Sequence, residues 1–465
     1  MADNTSTDGI LIRAQNGDVI RYDDTGLILR LSDTVLADIA LRLGGNLSPA
    51  APPVSVPRLD AHAYLPDVDA WGVSLHGDWL YFTANLAGVA GPCGYRRRVT
   101  GGDIIADAPG PIQVILGMGG ARAALGSTAK PNYPYHILAP ADDIGAVGHA
   151  GVEDAIQTPD LEHLRDLTHE ALVADMLLQD RVTKTQALPL FVTRVETDTS
   201  ATATDLATGP AMTNLEIAVR NAMQAASSMG KQADITAICL DYTFEDQSGS
   251  AAAYRDGMTA VMDGLRDHLK ALGHPAPTFV TRFEGGTPAM QDDAIIEGQW
   301  DLAWNHADHR FIQSAPSYMF DYDTFDRPTD AARADMAAMT AAAITTDNWH
   351  CPTFMLAECI SGTHSIRVTA KAMQPLVLDL KLGCTALAGF SLIGNDNAPQ
   401  ITGVAVDPND PKALIFTCDT APTGDLHLGY AVKDTLIGGV RDDWMTDGGL
   451  HRWALPCLLP VTGTA

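Results

Sequence analysis

The sequence predicts an α/β protein, with a three-layer domain on a parallel sheet over 58–347, a β-sandwich over 348–465, and a small attachment segment with its linker over 1–57. Three observations carry this. A strand, helix, strand unit runs from Ala233 to Phe283, and its return crossover requires parallel strands. From about position 350 the chain becomes a series of short strands separated by turn signals such as Asp407-Pro-Asn-Asp-Pro411. That is the texture of a sandwich of roughly one hundred residues. Ser48-Pro-Ala-Ala-Pro-Pro-Val-Ser-Val-Pro57 is an extended, semi-rigid spacer that sets the first residues apart.

Taken in order, Gly9 to Ile28 reads as short β pieces and Leu31 to Leu43 as one amphipathic helix. A folded tip on a stiff linker suits an attachment device; a terminus packed on its own domain is the alternative. Ala70 to Leu75 and Asp78 to Thr83 are aromatic-containing strands, and Pro111 to Leu116 is a buried strand that breaks into Gly117-Met-Gly-Gly120. A helix is expected within 154–188, a strand over Ala187 to Arg194, and a second helix over Asn214 to Gly230. The run Ile235 to Leu240 is apolar on both faces, as in a central parallel strand, and ends abruptly at Asp241, Glu245 and Asp246. Ligands and catalytic groups collect at that end of such sheets.

Ser248 or Ser250 can cap the following helix, whose Tyr254, Met258, Val261, Met262, Leu265 and Leu269 share one face and which Gly273 and Pro275 end. Pro277 to Phe283 is the next strand, Ala294 to Asn305 a helix, Arg310 to Ser314 a short strand, and Pro328 to Thr345 an Ala- and Met-rich helix. Its Met336, Met339 and Ile344 read as core. Strands at 352–357, 365–368, 376–380, 389–393, 401–406, 413–418 and 427–432 make up the sandwich.

The formal net charge of -27 argues against wrapping nucleic acid, which needs concentrated Lys and Arg. The one basic cluster, Tyr95-Arg-Arg-Arg98, reads as a loop or interface contact. Seven scattered cysteines without a close pair point to reduced, buried thiols and synthesis in the cytoplasm. The first residues, MADNTSTDG, have no signal-peptide pattern, and no apolar run is long enough to span a bilayer, so membrane insertion is not expected.

The order of blocks carries a resemblance. A strand running into a glycine turn (Ile115 to Gly120), an Asn before a helix (Asn214), a strand ending in carboxylates (Leu240 to Asp246) and an Asp-rich loop before a last helix (Asp321 to Ile344) together resemble the SGNH hydrolase superfamily, in particular the sialate O-acetylesterase-like carbohydrate esterases. Those enzymes carry blocks like Gly-Gln-Ser-Asn, Trp-x-Gln-Gly-Glu and Asp-x-x-His. Position by position, Gly119 stands at the nucleophile, Asp241-Tyr-Thr-Phe-Glu245 keeps the glutamate, and Asp323-Thr-Phe-Asp326 has Asp326 in place of the histidine. An acyl-transfer triad needs a nucleophile and a base oriented by a carboxylate. The resemblance therefore implies a degenerate, non-enzymatic site without cofactor. Alternative groups are Ser127, His364 and the pair Asp347 and His350, which has the Asp-x-x-His spelling. His306, Asp308, His309 and the Asp321, Asp323, Asp326 group follow no diagnostic metal pattern, so no metal is assigned.

Aromatic platforms and planar polar groups hold sugars, and Asp241, Tyr242, Glu245, Arg282, Trp304 and Tyr322 are the expected ligand-binding set, with Trp300 and Tyr318 nearby. The whole chain resembles the head spike or head fibre proteins of bacterial gene transfer agents. That resemblance implies a virion surface protein, expected to be a homo-oligomer, whose partners are capsid or spike-base proteins of a phage-like particle and the capsular polysaccharide of a host cell. An active O-acetylesterase and a purely structural particle protein are the other readings.

Overall fold

The computed structural model describes residues 9–14, 17–23, 26–29, 64–127, 129–148, 155–242, 249–287, 293–306, 309–394, 399–432 and 437–463. The chain separates into two compact units, Met1–Asp60 and Ala61–Ala465. In the first, strands Gly9–Ala14, Gly17–Asp23 and Gly26–Leu29 form an antiparallel meander. The helix expected over Leu31 to Leu43 lies outside the described residues.

The second unit is built on a seven-stranded sheet. Its strands are β1 (Ile112–Gly119), β2 (Ile137–Pro140), β3 (Leu161–His163), β4 (Phe191–Thr197), β5 (Ala233–Asp241), β6 (Thr278–Phe283) and β7 (Arg310–Pro316). Their order is β3-β2-β4-β1-β5-β6-β7, parallel except for the antiparallel edge strand β3. The chain order reverses at β1, between β4 and β5, so a crevice opens at the carboxyl ends of β1 and β5. Both faces of β1 are covered. Ile115 packs with helix α1 (His169–Thr183), while Val114 and Leu116 point to the opposite side and are equally buried. Helix α1 packs against α5 (Asp330–Thr345), and α2 (Pro210–Ser228), α3 (Ala251–Ala271) and α4 (Asp293–Asn305) form a second group.

Local chemistry explains the boundaries. Ser250 caps α3 by accepting from Ala253 N–H at 3.2 Å, as its sequence position predicts. The helix expected within 154–188 begins only at His169, because Thr168 caps it there. The residues before it include β3, whose Leu161 and Glu162 alternate across an edge strand instead of sharing a helical face.

Ahead of β1, strands Ala70–His76, Trp79–Ala84, Cys93–Arg98 and Ile105–Ala106 form an antiparallel sheet. Carboxylates outside that sheet neutralise the basic cluster: Arg96 pairs with Asp107, Arg97 with Asp67 at 2.9 Å and Arg98 with Asp160 at 2.9 Å. The C-terminal region has a seven-stranded sheet and a three-stranded sheet around one core centred on Phe354, Phe390, Phe416 and Tyr430. In the large sheet the order is Phe390–Gly394, Leu426–Tyr430, Cys457–Thr462, Thr353–Cys359, Ser365–Lys371, Asp410–Cys418, Ile401–Asp407.

This β region shares one compact unit with the α/β layer. Tyr318, just past β7, donates to Ala454 O at 2.6 Å and lies 2.9 Å from the Tyr430 hydroxyl. Gly285, at a positive φ of 121°, leaves room for Pro456, where a side chain would collide. The change of architecture near 347/348 is thus a packed seam.

Candidate functional site

The register brings Gly119 beside Thr197 of β4 and Asp241 of β5, so the carboxyl ends of three strands finish level. Gly119 is the last residue of β1, and a Cβ there would collide with the Asp241 carbonyl and Ala123. A Cβ at Gly117 would meet the Glu170 carboxyl group. Both glycines are therefore places where something else comes close. The turn that would present a nucleophile follows Gly119, and Gly120 N–H donates to Asp241 O at 3.0 Å across its start.

Four charged side chains fill the crevice. Arg282, at the end of β6, donates to Asp241 at 2.5 Å. Arg122, from the turn after β1, reaches Glu284 at 2.5 Å and Asp241 at 3.5 Å. Glu284 and Arg282 are fixed from behind by Gln299 of α4, which accepts from Glu284 N–H at 2.7 Å and donates to Arg282 O at 3.1 Å. Burial opposes charge on Asp241, but the Arg282 and Arg122 guanidiniums overcome it and pull the carboxyl down to about 2. Burial likewise opposes charge on Arg122, and Glu284 and Asp241 reverse that and raise its pKa. Two cations thus face two anions. Tyr322 belongs to the same cluster, its phenol pushed up to about 12 by burial and by Glu284.

Beneath lie His169 and Glu170, the first two residues of α1. His169 Nε2 is 3.1 Å from Thr340 Oγ1 of α5. Burial, helped by Arg282, lowers the His169 pKa to about 3, whereas burial raises Glu170 to about 7. A His beside a Thr hydroxyl has the outline of a base and nucleophile, yet an imidazole so easily deprived of its proton is a poor base near neutrality. Burial also holds the Cys239 thiol well above its ordinary pKa. The space left among these groups is about 10 Å³. That is room for about one water and for no acyl group.

The structure brings together Asp241, Arg282 and Tyr322 of the expected ligand-binding set. Tyr242 is buried beneath them, its carbonyl accepting from Tyr254 at 3.1 Å. Glu245 lies outside the described residues, as does Asp308. Trp304 is not in the crevice: it stands half-exposed at the end of α4, in a pocket with His350 and Lys371. Helix α4 turns that residue toward the β region, a consequence of packing that its proximity in sequence to the crevice strands does not reveal.

Asp323 is turned to its own loop, accepting from Phe325 N–H at 2.8 Å and Arg327 N–H at 3.0 Å, and Asp326 occupies the left-handed region at φ 57°. Neither takes part in the ion-pair set. Asp347 is exposed, while His350 faces the α4 pocket, so this pair does not form a dyad. Ser127 accepts from Ala129 N–H at 3.1 Å in a local turn. His309 binds Asp263 at 2.9 Å, and among the described residues no three His, Cys, Asp or Glu side chains gather as a metal site.

Sequence reasoning missed Arg122, His169, Glu170 and Gln299. Glu284-Gly-Gly, directly after a strand, was a usable signal for the fourth charge. Arg122 lies in a small-residue turn and His169 and Glu170 at a helix start, where sequence does not show which way a side chain points.

Among solved structures, the chain is similar to a carbohydrate acetylesterase from Xanthomonas citri, with 13% identity over 81% of this chain and 86% of that one and a TM-score of 0.49. A carbohydrate acetylesterase from Sinorhizobium meliloti matches at 12% identity over 50% of this chain and 97% of that one, TM-score 0.28. An S-layer protein matches at 15% identity over 46% and 23%, TM-score 0.17. No family model and no curated protein matches the chain.

Proposed function

We propose that this chain is a glycan-binding protein on an esterase-like scaffold that has given up acyl transfer, and that it serves as a head spike or fibre of a phage-like particle, holding the polysaccharide of a host cell. One observation carries the loss of catalysis: at the carboxyl ends of β1 and β5 Asp241, Arg282, Arg122 and Glu284 pair with one another, and the space beside Asp241 and Arg282, lined also by His169, Glu170 and Thr340, is about 10 Å³. Acyl transfer needs a nucleophile with a base beside it and space for the acyl group. Here the strand-end position is a glycine with no room for a side chain, and the nearby, partly buried imidazole has its pKa lowered to about 3.

The particle role is supported by the order of sequence blocks and by the separate compact unit Met1–Asp60, which suits an anchor. Several copies on one particle would turn weak sugar contacts into useful avidity. The test is to incubate the purified protein with capsular polysaccharide from a recipient strain while following binding and free acetate in one sample. Saturable binding without acetate is expected. Acetate release would overturn the loss of catalysis, and absence of binding would overturn the glycan reading. Deleting residues 1–57 is expected to abolish incorporation into particles, and retained incorporation would move the anchor to the β region.

A further inference from the structure

We propose that the pocket between α4 and the C-terminal β region binds an acidic pyranose, such as a uronic acid residue of a polysaccharide, with Trp304 as the stacking platform and Lys371 as the carboxylate partner. The inference deepens the glycan reading and rests on it for its biological setting.

The pocket measures about 160 Å³ and is separate from the ion-pair crevice. A cavity of about 150 Å³ admits a benzene-sized ring, so one six-membered sugar ring fits with its substituents toward the opening. Trp304 is 50% exposed, although its edge-to-face neighbour Trp300, 6.1 Å away, packs on the β core. An indole left half-bare at the mouth of a pocket offers a flat apolar face to the C–H groups of a sugar.

The polar groups in the lining are of a kind that recognises hydroxyls. His350 Nδ1 donates to Asn348 O at 3.0 Å, which assigns the proton to that nitrogen and leaves Nε2 as an acceptor. That Nε2 is buried without a hydrogen-bond partner among the described residues, and so is His306 Nδ1. Gln313 and Thr353 add further donors and acceptors. Burial lowers the His350 pKa, so its ring serves as a neutral hydrogen-bonding group.

Charge selects the ligand class. Although the chain has 57 acidic residues, the described residues lining this pocket include no Asp or Glu, and Lys371 is the cation among them. A carboxylate would be repelled by much of this acidic surface, whereas the described lining here offers a lysine and no acid, the nearby Asp442 being paired with Arg452.

The experiment titrates the full chain with methyl β-glucuronide and, separately, methyl β-glucoside, following tryptophan fluorescence and ligand-observed NMR. Saturable binding of the uronide, about tenfold tighter than the glucoside, is expected. Trp304→Ala should abolish it. Lys371→Glu changes an exposed side chain and should lose the preference without disturbing the fold. Equal binding of both glycosides, unaffected by Lys371→Glu, would overturn the acidic class. Polysaccharide binding that survives Trp304→Ala would overturn the pocket and leave the glycan reading standing. Uronide binding without any polysaccharide binding would retain the pocket and sink the proposed function.

Discussion

The crevice over β1 and β5 and the pocket beside α4 are both concave and polar, and they differ in what fills them. In the crevice the charges are set against one another, Arg282 with Asp241 and Arg122 with Glu284, with Gln299 on the backbone behind them, while Arg282 Nε has no hydrogen-bond partner among the described residues. In the pocket, an indole is half-exposed and two imidazole nitrogens have no hydrogen-bond partner among the described residues. A ligand entering a site whose buried charges are already paired must offset the cost of breaking those pairs. On the proposed reading, the crevice is structural and recognition belongs to the pocket beside α4.

The sharpest way to break this contrast is to open the crevice. Arg282→Met would leave the partly buried Asp241 beside only the more distant Arg122, and stability should fall by about 2–4 kcal/mol in urea unfolding. A loss under about 1 kcal/mol would mean that the network is not structural.

Glu170 gives the next largest effect. Its carboxyl titrates near 7 in the fold instead of 4.5, so between those values the folded state binds more protons than the unfolded one. Stability from this group therefore falls as pH rises through about 4.5 to 7, by up to about 3 kcal/mol. His169, neutral in the fold down to about 3, pulls the opposite way between 3 and 6.5, so the useful quantity is a difference. Glu170→Gln should be more stable than the wild type at pH 8 and similar to it at pH 4; equal stability at both would refute the assignment.

Gly119→Ser restores the spelling of a nucleophile. Because its Cβ would meet the Asp241 carbonyl, the expected outcome is a loss of about 1–3 kcal/mol and no hydrolysis of an aryl acetate. Measurable hydrolysis would mean that the strand end can move aside. The smallest effect belongs to the pocket, where Trp304→Ala should cost about 1 kcal/mol or less, since it removes an edge contact and a half-exposed ring.

The sheet was largely legible because its strands are apolar runs bounded by charge and turn residues, as at Ile235 to Asp241, and because α3 carries its own cap and stop. Strands of three or four residues such as β2 and β3 were not, since so few side chains establish no period. Asp241 and Arg282 could be chosen from sequence because each ends a strand. Arg122 and Glu170 could not: one sits on a turn and the other at a helix start, and only the missing side chains of Gly119 and Gly117 make room for what comes near. Trp304 was chosen for its chemistry and misplaced, because the direction of α4 is set by packing between distant segments.

The order of strands in the large β sheet also bears on biosynthesis. Cys457–Thr462, the last of its strands to be translated, lies in the middle, between Leu426–Tyr430 and Thr353–Cys359. A growing chain emerging from the ribosome would hold two half-sheets with bare facing edges until that segment arrives. Tyr318 would wait as well, because its acceptor on Ala454 is made only shortly before. The seam between the layers is therefore zipped after synthesis has passed Thr462, and the nascent protein must be kept from pairing those edges with a neighbour's in the meantime.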